Sequence, residues 1–145
     1  MMKTHLLRIG AIILSVVCLL IALLLCGFGQ NRIPLRQVEK IELTASNSEG
    51  TATVELEADD LRQFILCYNL SRYAGPVTAD RCERTFIVLV HLKDGRRIGI
   101  SDHDGARMKV TGMGPERFWI DNVLLLQTVK ALVRDNGLLW ENWGC

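Results

Sequence analysis

Residues 85–101 read TFIVLVHLKDGRRIGIS, and this stretch decides the fold. Residues 85–93 are rich in β-branched and aromatic side chains and are apolar on both faces at their middle, which is typical of a central strand. Asp94-Gly95 is a favoured hairpin turn, so residues 96–101 are predicted to return as the antiparallel partner. The stretch therefore predicts an antiparallel sheet with this hairpin at its centre.

Further strands are predicted on both sides of the hairpin. Residues 38–45 and 51–57 alternate apolar and polar side chains around a turn cluster at residues 46–50, which predicts a second hairpin. Residues 107–111 are predicted to form another strand, and residues 117–120 a short closing strand.

Two helices complete the pattern. The first is predicted over residues 60–72, with Asp59 or Asp60 as its cap, and the second begins at Asp121 and stops at Gly137. The resulting fold class is α+β, in the order β-β-α-β-β-β-α, with about five antiparallel strands and two helices packed on one face.

The first predicted helix carries apolar residues on two faces. One face packs on the core through Leu61, Phe64, Ile65 and Tyr68. The nearly opposite face contains Leu66, Leu70 and Tyr73. This second set is either covered by the following loop or contacts a partner or the membrane.

The N-terminus carries an uncharged apolar run. Residues 9–28 read IGAIILSVVCLLIALLLCGF behind Lys3 and Arg8, and about 20 such residues span a bilayer as a helix. The run exceeds the length of a signal-peptide apolar core, which favours an uncleaved anchor over a cleaved signal. A lipoprotein signal fits poorly, because three leucines precede Cys26. The predicted organisation is a transmembrane segment at residues 1–29, a linker at 30–37 and a globular domain at 38–145.

Charge limits the class of partner. All 16 acidic residues and 15 of the 17 basic residues follow residue 31, so the domain carries a formal charge of 15 − 16 = −1. A nucleic-acid-binding domain normally has an excess of positive charge, and no nucleic-acid partner is expected. Lys3, Arg8 and the α-amine before the apolar run are nearly balanced by three basic residues after it, at positions 32, 36 and 40. A short basic N-terminus usually stays inside, which favours an extracytoplasmic domain on a single-pass membrane protein.

Three of the five cysteines lie in the domain: Cys67, Cys82 and Cys145. In an oxidising compartment Cys67 and Cys82 form a feasible disulfide and leave Cys145 odd; the alternative is three free thiols.

Evidence for catalysis or metal binding is sparse. Asp102-His103-Asp104 places two carboxylates beside an imidazole, a set that can bind a divalent metal, but a hydrophilic hairpin turn over residues 102–105 is the favoured interpretation. No catalytic, metal or cofactor residue is assigned. Trp140 and Trp143 in the apolar tail are either partner contacts or part of the packed core.

The layout resembles small secreted or membrane-anchored α+β domains of Gram-positive bacteria, many of them uncharacterised. The resemblance rests on the apolar leader, the helix at residues 60–72, the hairpin at 85–101 and the closing segment RFWIDNVLLLQTVKALV at 117–133. It implies an envelope-associated accessory or binding protein and assigns no functional residue. The favoured function is a non-enzymatic, membrane-tethered binding or accessory module with a protein partner at the membrane. The alternative is a small extracytoplasmic metal-binding protein or hydrolase that uses residues 102–104.

Overall fold

The computed structural model describes residues 2–26, 31–47, 50–78 and 86–138. Its first element is the helix α1, Met2–Leu25, which is about 36 Å long at 1.5 Å per residue. The stretch Arg8–Leu25 has a mean hydropathy of 2.8 and carries one charged residue, Arg8, at its start, and none of it is buried against the rest of the chain. By length and composition, this helix is sufficient to cross a membrane.

A short 3₁₀ turn, Leu35–Gln37, leads into an antiparallel sheet of seven strands in the order β2-β1-β4-β5-β6-β7-β3. The elements are β1 Val38–Asn47, β2 Gly50–Glu55, α2 Ala58–Tyr68, β3 Arg72–Pro76, β4 Phe86–Leu92, β5 Arg97–Asp104, β6 Arg107–Thr111, β7 Phe118–Asp121 and α3 Val123–Asp135. The α+β class is confirmed.

The hairpin β4–β5 forms as the sequence predicts. Its register places Val90 opposite Ile98, and the Gly95 N–H donates to the Leu92 carbonyl at 2.9 Å. Gly95 has a φ of 86°, a conformation that glycine adopts without strain. On its other side β4 pairs with β1, so it is an interior strand, and its side chains alternate between buried and half-buried.

The core lies between one face of the sheet and both helices. Side chains from alternate positions of the strands share one apolar cluster with the inward faces of α2 and α3. Members from the sheet include Leu43, Val88, Ile100, Met108 and Ile120; members from the helices include Phe64, Ile65, Tyr68, Leu125, Val129 and Leu132. Packing of the two helices on one face is therefore confirmed.

The prediction for residues 60–76 is wrong in detail. The helix α2 ends at Tyr68, the Ser71 N–H donates to the Tyr68 carbonyl in a turn, and residues 72–76 form β3. With β3 and the short closing strand β7, the sheet has seven strands rather than about five in the part of the chain that the structure describes. Leu66 alone lies on the helix, so Leu66, Leu70 and Tyr73 do not share a helical face.

Three local boundaries also differ from the prediction. The helix α2 begins after Glu57, which leaves Asp59 and Asp60 in its first turn rather than at the cap. Asp121 belongs to β7, and Asn122 caps α3. Strand β5 continues through residue 104, so the turn predicted at residues 102–105 begins only at Gly105.

Candidate functional site

The side chain of Asn122 joins the ends of α2 and α3. Its Oδ1 accepts the Leu125 N–H at 2.9 Å and so caps α3. Its Nδ2 donates to the Cys67 carbonyl at 2.8 Å and to the Ser71 Oγ at 2.9 Å. Three hydrogen bonds from one side chain therefore fix the start of α3 against the end of α2.

Cys67 lies inside this junction. It is buried, and the Thr128 hydroxyl lies 3.5 Å from its Sγ while donating to the Leu124 carbonyl at 2.9 Å. Cys82 lies outside the described residues, so the disulfide between Cys67 and Cys82 stays a prediction.

Four large apolar side chains around the junction are exposed. Leu66 and Leu70 directly precede Cys67 and Ser71, the two residues that Asn122 binds, and they are 64% and 60% exposed. Val123 and Leu124 directly follow Asn122 and are 60% and 50% exposed. We call these four residues the junction surface. Single exposed leucines are common, but several at one junction are typical of an interaction site.

Tyr73 lies on β3, two residues beyond Ser71. Its ring is 38% exposed and lies 5.7 Å from the ring of Phe118, which belongs to the core. Tyr73 therefore packs on the core at the edge of the sheet and leaves part of its side chain exposed to solvent. Trp140 and Trp143, the other predicted contacts, lie outside the described residues.

The chain leaving the apolar helix is tied to the same end of α2. The Ile33 N–H donates to Asn69 Oδ1 at 2.8 Å, and Asn69 Nδ2 donates to the Ile33 carbonyl at 3.0 Å. Ile33 is 1% exposed and belongs to the core cluster. Because Asn69 directly precedes Leu70, the junction surface lies beside the point where the chain enters the domain.

A second candidate lies on the sheet face opposite the helices. The ring of His103 stacks on that of Trp119, with centroids 4.3 Å apart and planes 29° from parallel. Beside this pair is an open depression of about 310 Å³, lined by His103, Ala106, Arg107 and Asp121. Trp119 is buried yet outside the core cluster, as expected for a side chain on the far face.

Asp121 is the charged centre of this depression. Arg107 donates to both carboxylate oxygens, from Nε at 2.9 Å and from Nη2 at 3.1 Å, and the Nη2 of Arg72 lies 3.1 Å from Oδ2. The hydrogen bonds from Arg107, followed by those from Arg72, hold the pKa of Asp121 below its ordinary value. The aspartate is therefore a stable anion between two cations, a state unsuited to general acid catalysis near neutral pH.

The structure does not bring Asp102 and His103 together. The Asp102 Oδ1 accepts the Phe86 N–H at 3.0 Å in a buried position, whereas the His103 ring stacks on Trp119 on the far face of the sheet. For residue 104 only the backbone is described. Within the described ranges there is no group of three His, Cys, Asp or Glu side chains that could hold a metal ion.

Sequence reasoning missed Asn69, Asn122, Val123 and Leu124. Asn122 had a usable signal, because asparagine is a preferred helix cap. Asn69 had none, because its partner Ile33 lies 36 residues earlier in a segment without a strand or helix pattern.

No family model, curated protein or solved structure matches this chain. The class of this protein is therefore described from its own fold and candidate site. It is a small antiparallel α+β domain behind an apolar helix of bilayer length, with an apolar surface exposed where its two packed helices meet.

Proposed function

We propose that this protein is a membrane-tethered accessory protein that acts without catalysis, by binding a protein partner at the same membrane through the junction surface. The observation that carries this proposal is the position of four exposed apolar residues at the end of the domain to which the incoming chain is tied. An exposed apolar surface at that position is available to a neighbour in the membrane plane.

The energetics favour a contact of this kind. Complete burial of a leucine or valine side chain contributes roughly 1.5–3 kcal/mol, and the junction surface offers four side chains that are already half-exposed or more. Confinement to one membrane raises the local concentration of a partner, as short linkers do. A modest interface is therefore sufficient for a lasting complex.

We infer the direction of the domain from the basic residues on either side of the uncharged apolar run. The short N-terminal segment carries Lys3 and Arg8, which favours retention of that end inside and an extracytoplasmic domain. The nearly neutral domain offers little attraction for nucleic acid. Retention of α1 gives a single-pass protein of the cell membrane; cleavage gives a secreted form.

The alternative function, metal binding or hydrolysis at residues 102–104, has less support. The Asp102 carboxylate already accepts the buried Phe86 N–H, and chelation through both of its oxygens would compete with that hydrogen bond. Among the described residues, no group of three His, Cys, Asp or Glu side chains is placed to hold a metal ion.

Photo-crosslinking of the full chain in its native membrane tests the proposal. We expect a partner protein whose crosslinked yield falls at least about tenfold in Leu70→Asp and in Leu124→Asp, because a charge in an apolar contact must be desolvated. Ala52→Asp is the matched control, since it adds the same charge at an exposed position on β2, the opposite edge strand from β3.

Two outcomes would overturn this proposal. One is the absence of a crosslinked protein, and the other is an equal yield from the junction variants and the control. Labelling of intact cells with a membrane-impermeant reagent tests the orientation, and modification of the domain only after lysis contradicts it. The mass of the intact membrane-extracted protein shows whether residues 1–29 are retained.

A further inference from the structure

We propose that the segment joining α1 to the sheet rests on the lipid bilayer. In this arrangement Leu35 enters the boundary between headgroups and acyl chains, and Arg32 and Arg36 contact lipid phosphates. We call these three residues the juxtamembrane strip. The contact is separate from the junction surface, and its chemistry requires no protein partner.

One side of this segment is fixed to the domain. Ile33 is buried and bound at both backbone polar groups by Asn69, and the Lys93 N–H donates to the Gln37 carbonyl at 2.9 Å. Val38 is buried at the start of β1. The segment is therefore part of a folded surface from Ile33 onward rather than a loose tether.

The side chains that do not face the domain form the strip. Leu35 is 40% exposed, and Arg32 and Arg36 are exposed on either side of it. Residues 31–38 read NRIPLRQV and contain two positive charges and no negative charge. An apolar side chain between two arginines is the composition of a segment that lies in a membrane interface.

The position along the chain places the strip near lipid. The helix α1 is about 36 Å long, which exceeds the hydrocarbon thickness of about 30 Å, so a spanning α1 ends at headgroup level. Six residues lie between Leu25 and Arg32, so their Cα atoms are seven steps apart and at most about 25 Å from each other when the chain is fully extended. The strip is thus confined to the layer of solution next to the bilayer.

The chemistry of arginine suits this surface. A guanidinium group donates two parallel hydrogen bonds to a phosphate, and anionic lipids attract arginines that lie close to the membrane. Because Asn69 ties the strip to the end of α2, lipid contact by the strip also sets the direction in which the junction surface faces. This consequence extends the proposed function, whereas the lipid contact itself is independent of it.

The test uses the purified full chain in vesicles of phosphatidylglycerol and phosphatidylcholine whose acyl chains carry bromine as a quencher. An environment-sensitive fluorescent amino acid replaces Leu35 in one sample, Gln37 in a second and Ala52 in a third. All three positions are exposed, so the probe leaves the core unchanged. Gln37 controls for mere closeness to the anchor, and Ala52 controls for random collision with lipid.

We expect quenching at position 35 to exceed that at positions 37 and 52 by at least about threefold, because only an inserted side chain reaches the brominated chains. Arg32→Gln with Arg36→Gln lowers the quenching at position 35 by at least about half, and the loss is larger in vesicles rich in phosphatidylglycerol. Equal quenching at all three positions overturns the proposal, and so does quenching that the two glutamines leave unchanged. No other protein is present, so failure to find a partner in the crosslinking experiment does not alter this result.

Discussion

Replacement of Asn122 by alanine removes the side chain that holds the helix junction. The cap to Leu125 is worth about 1 kcal/mol. The hydrogen bonds to the Cys67 carbonyl and the Ser71 hydroxyl are worth about 1 kcal/mol each. We therefore expect Asn122→Ala to lower the free energy of unfolding by about 3 kcal/mol.

The variant Asn122→Ser separates these contributions. Serine caps helices as well as asparagine does, but its side chain is too short to reach the end of α2 in the same way. We expect the serine variant to lose about 2 kcal/mol and the alanine variant about 3 kcal/mol. Urea unfolding of the full chain in detergent micelles, followed by tryptophan fluorescence, measures both differences at constant m-value.

Two results would refute this reasoning. A loss below about 1 kcal/mol in Asn122→Ala shows that the junction does not depend on this side chain. Equal losses in the two variants show that the cap contributes nothing and that the order of effects is wrong. A loss below about 1 kcal/mol in Asn122→Ala also removes the reason for treating the four exposed residues as one rigid surface.

Three further predictions concern other parts of the fold. Because the pKa of Asp121 is lowered in the folded state, the carboxylate stabilises the fold above its unfolded pKa of about 4, and this contribution is lost as the pH falls. We therefore expect Asp121→Asn to flatten the pH dependence of the free energy of unfolding in acid. An unchanged profile contradicts the ion-pair arrangement. Gly112→Ala places a methyl group against a backbone carbonyl at the start of β5, whereas Gly137 has a positive φ as well but open space around it. We therefore expect Gly112→Ala to lower the thermal midpoint of unfolding far more than Gly137→Ala does. Equal shifts contradict this expectation. Leu43→Ala should cost about 2–5 kcal/mol in urea unfolding and Leu66→Ala less than about 0.5 kcal/mol, and a large loss from Leu66→Ala shows that it belongs to the core.

The parts of the fold that depend on neighbouring residues were predictable. The hairpin β4–β5 requires only an alternating apolar stretch and a two-residue turn, and both lie within residues 85–101. Strand β6 has the predicted bounds of 107–111 for the same reason. Periodicity and turn chemistry are local properties, and they suffice where partners adjoin in sequence.

Strand β3 could not be recognised in this way. Its partner is β7, with Arg72 opposite Asp121 and Pro76 opposite Phe118. Leu66, Leu70 and Tyr73 also have a spacing that suits a helix, which extended the predicted helix beyond Tyr68. Proline at the end of β3 is compatible with a strand because β3 forms an edge of the sheet, and that position is known only from the complete topology.

The candidate site was predictable only in part. Leu66 and Leu70 were identified as surplus apolar residues, and both are exposed. Aspartate and asparagine both cap helices, so the sequence alone favours Asp121 as the cap of α3. In the structure β7 pairs with two strands that carry arginines, Asp121 belongs to that strand, and Asn122 is the cap. Tertiary pairing therefore decides between two residues of equal local preference.

The place of β3 has a consequence for synthesis of the chain. Strand β3 forms an edge of the sheet and pairs with β7, which begins at Phe118. A nascent chain that has emerged only as far as β6 therefore contains β3 without its sheet partner, while α1 has already emerged. The closing edge of the domain is therefore completed only after residues up to Asp121 have left the ribosome, long after α1 has emerged.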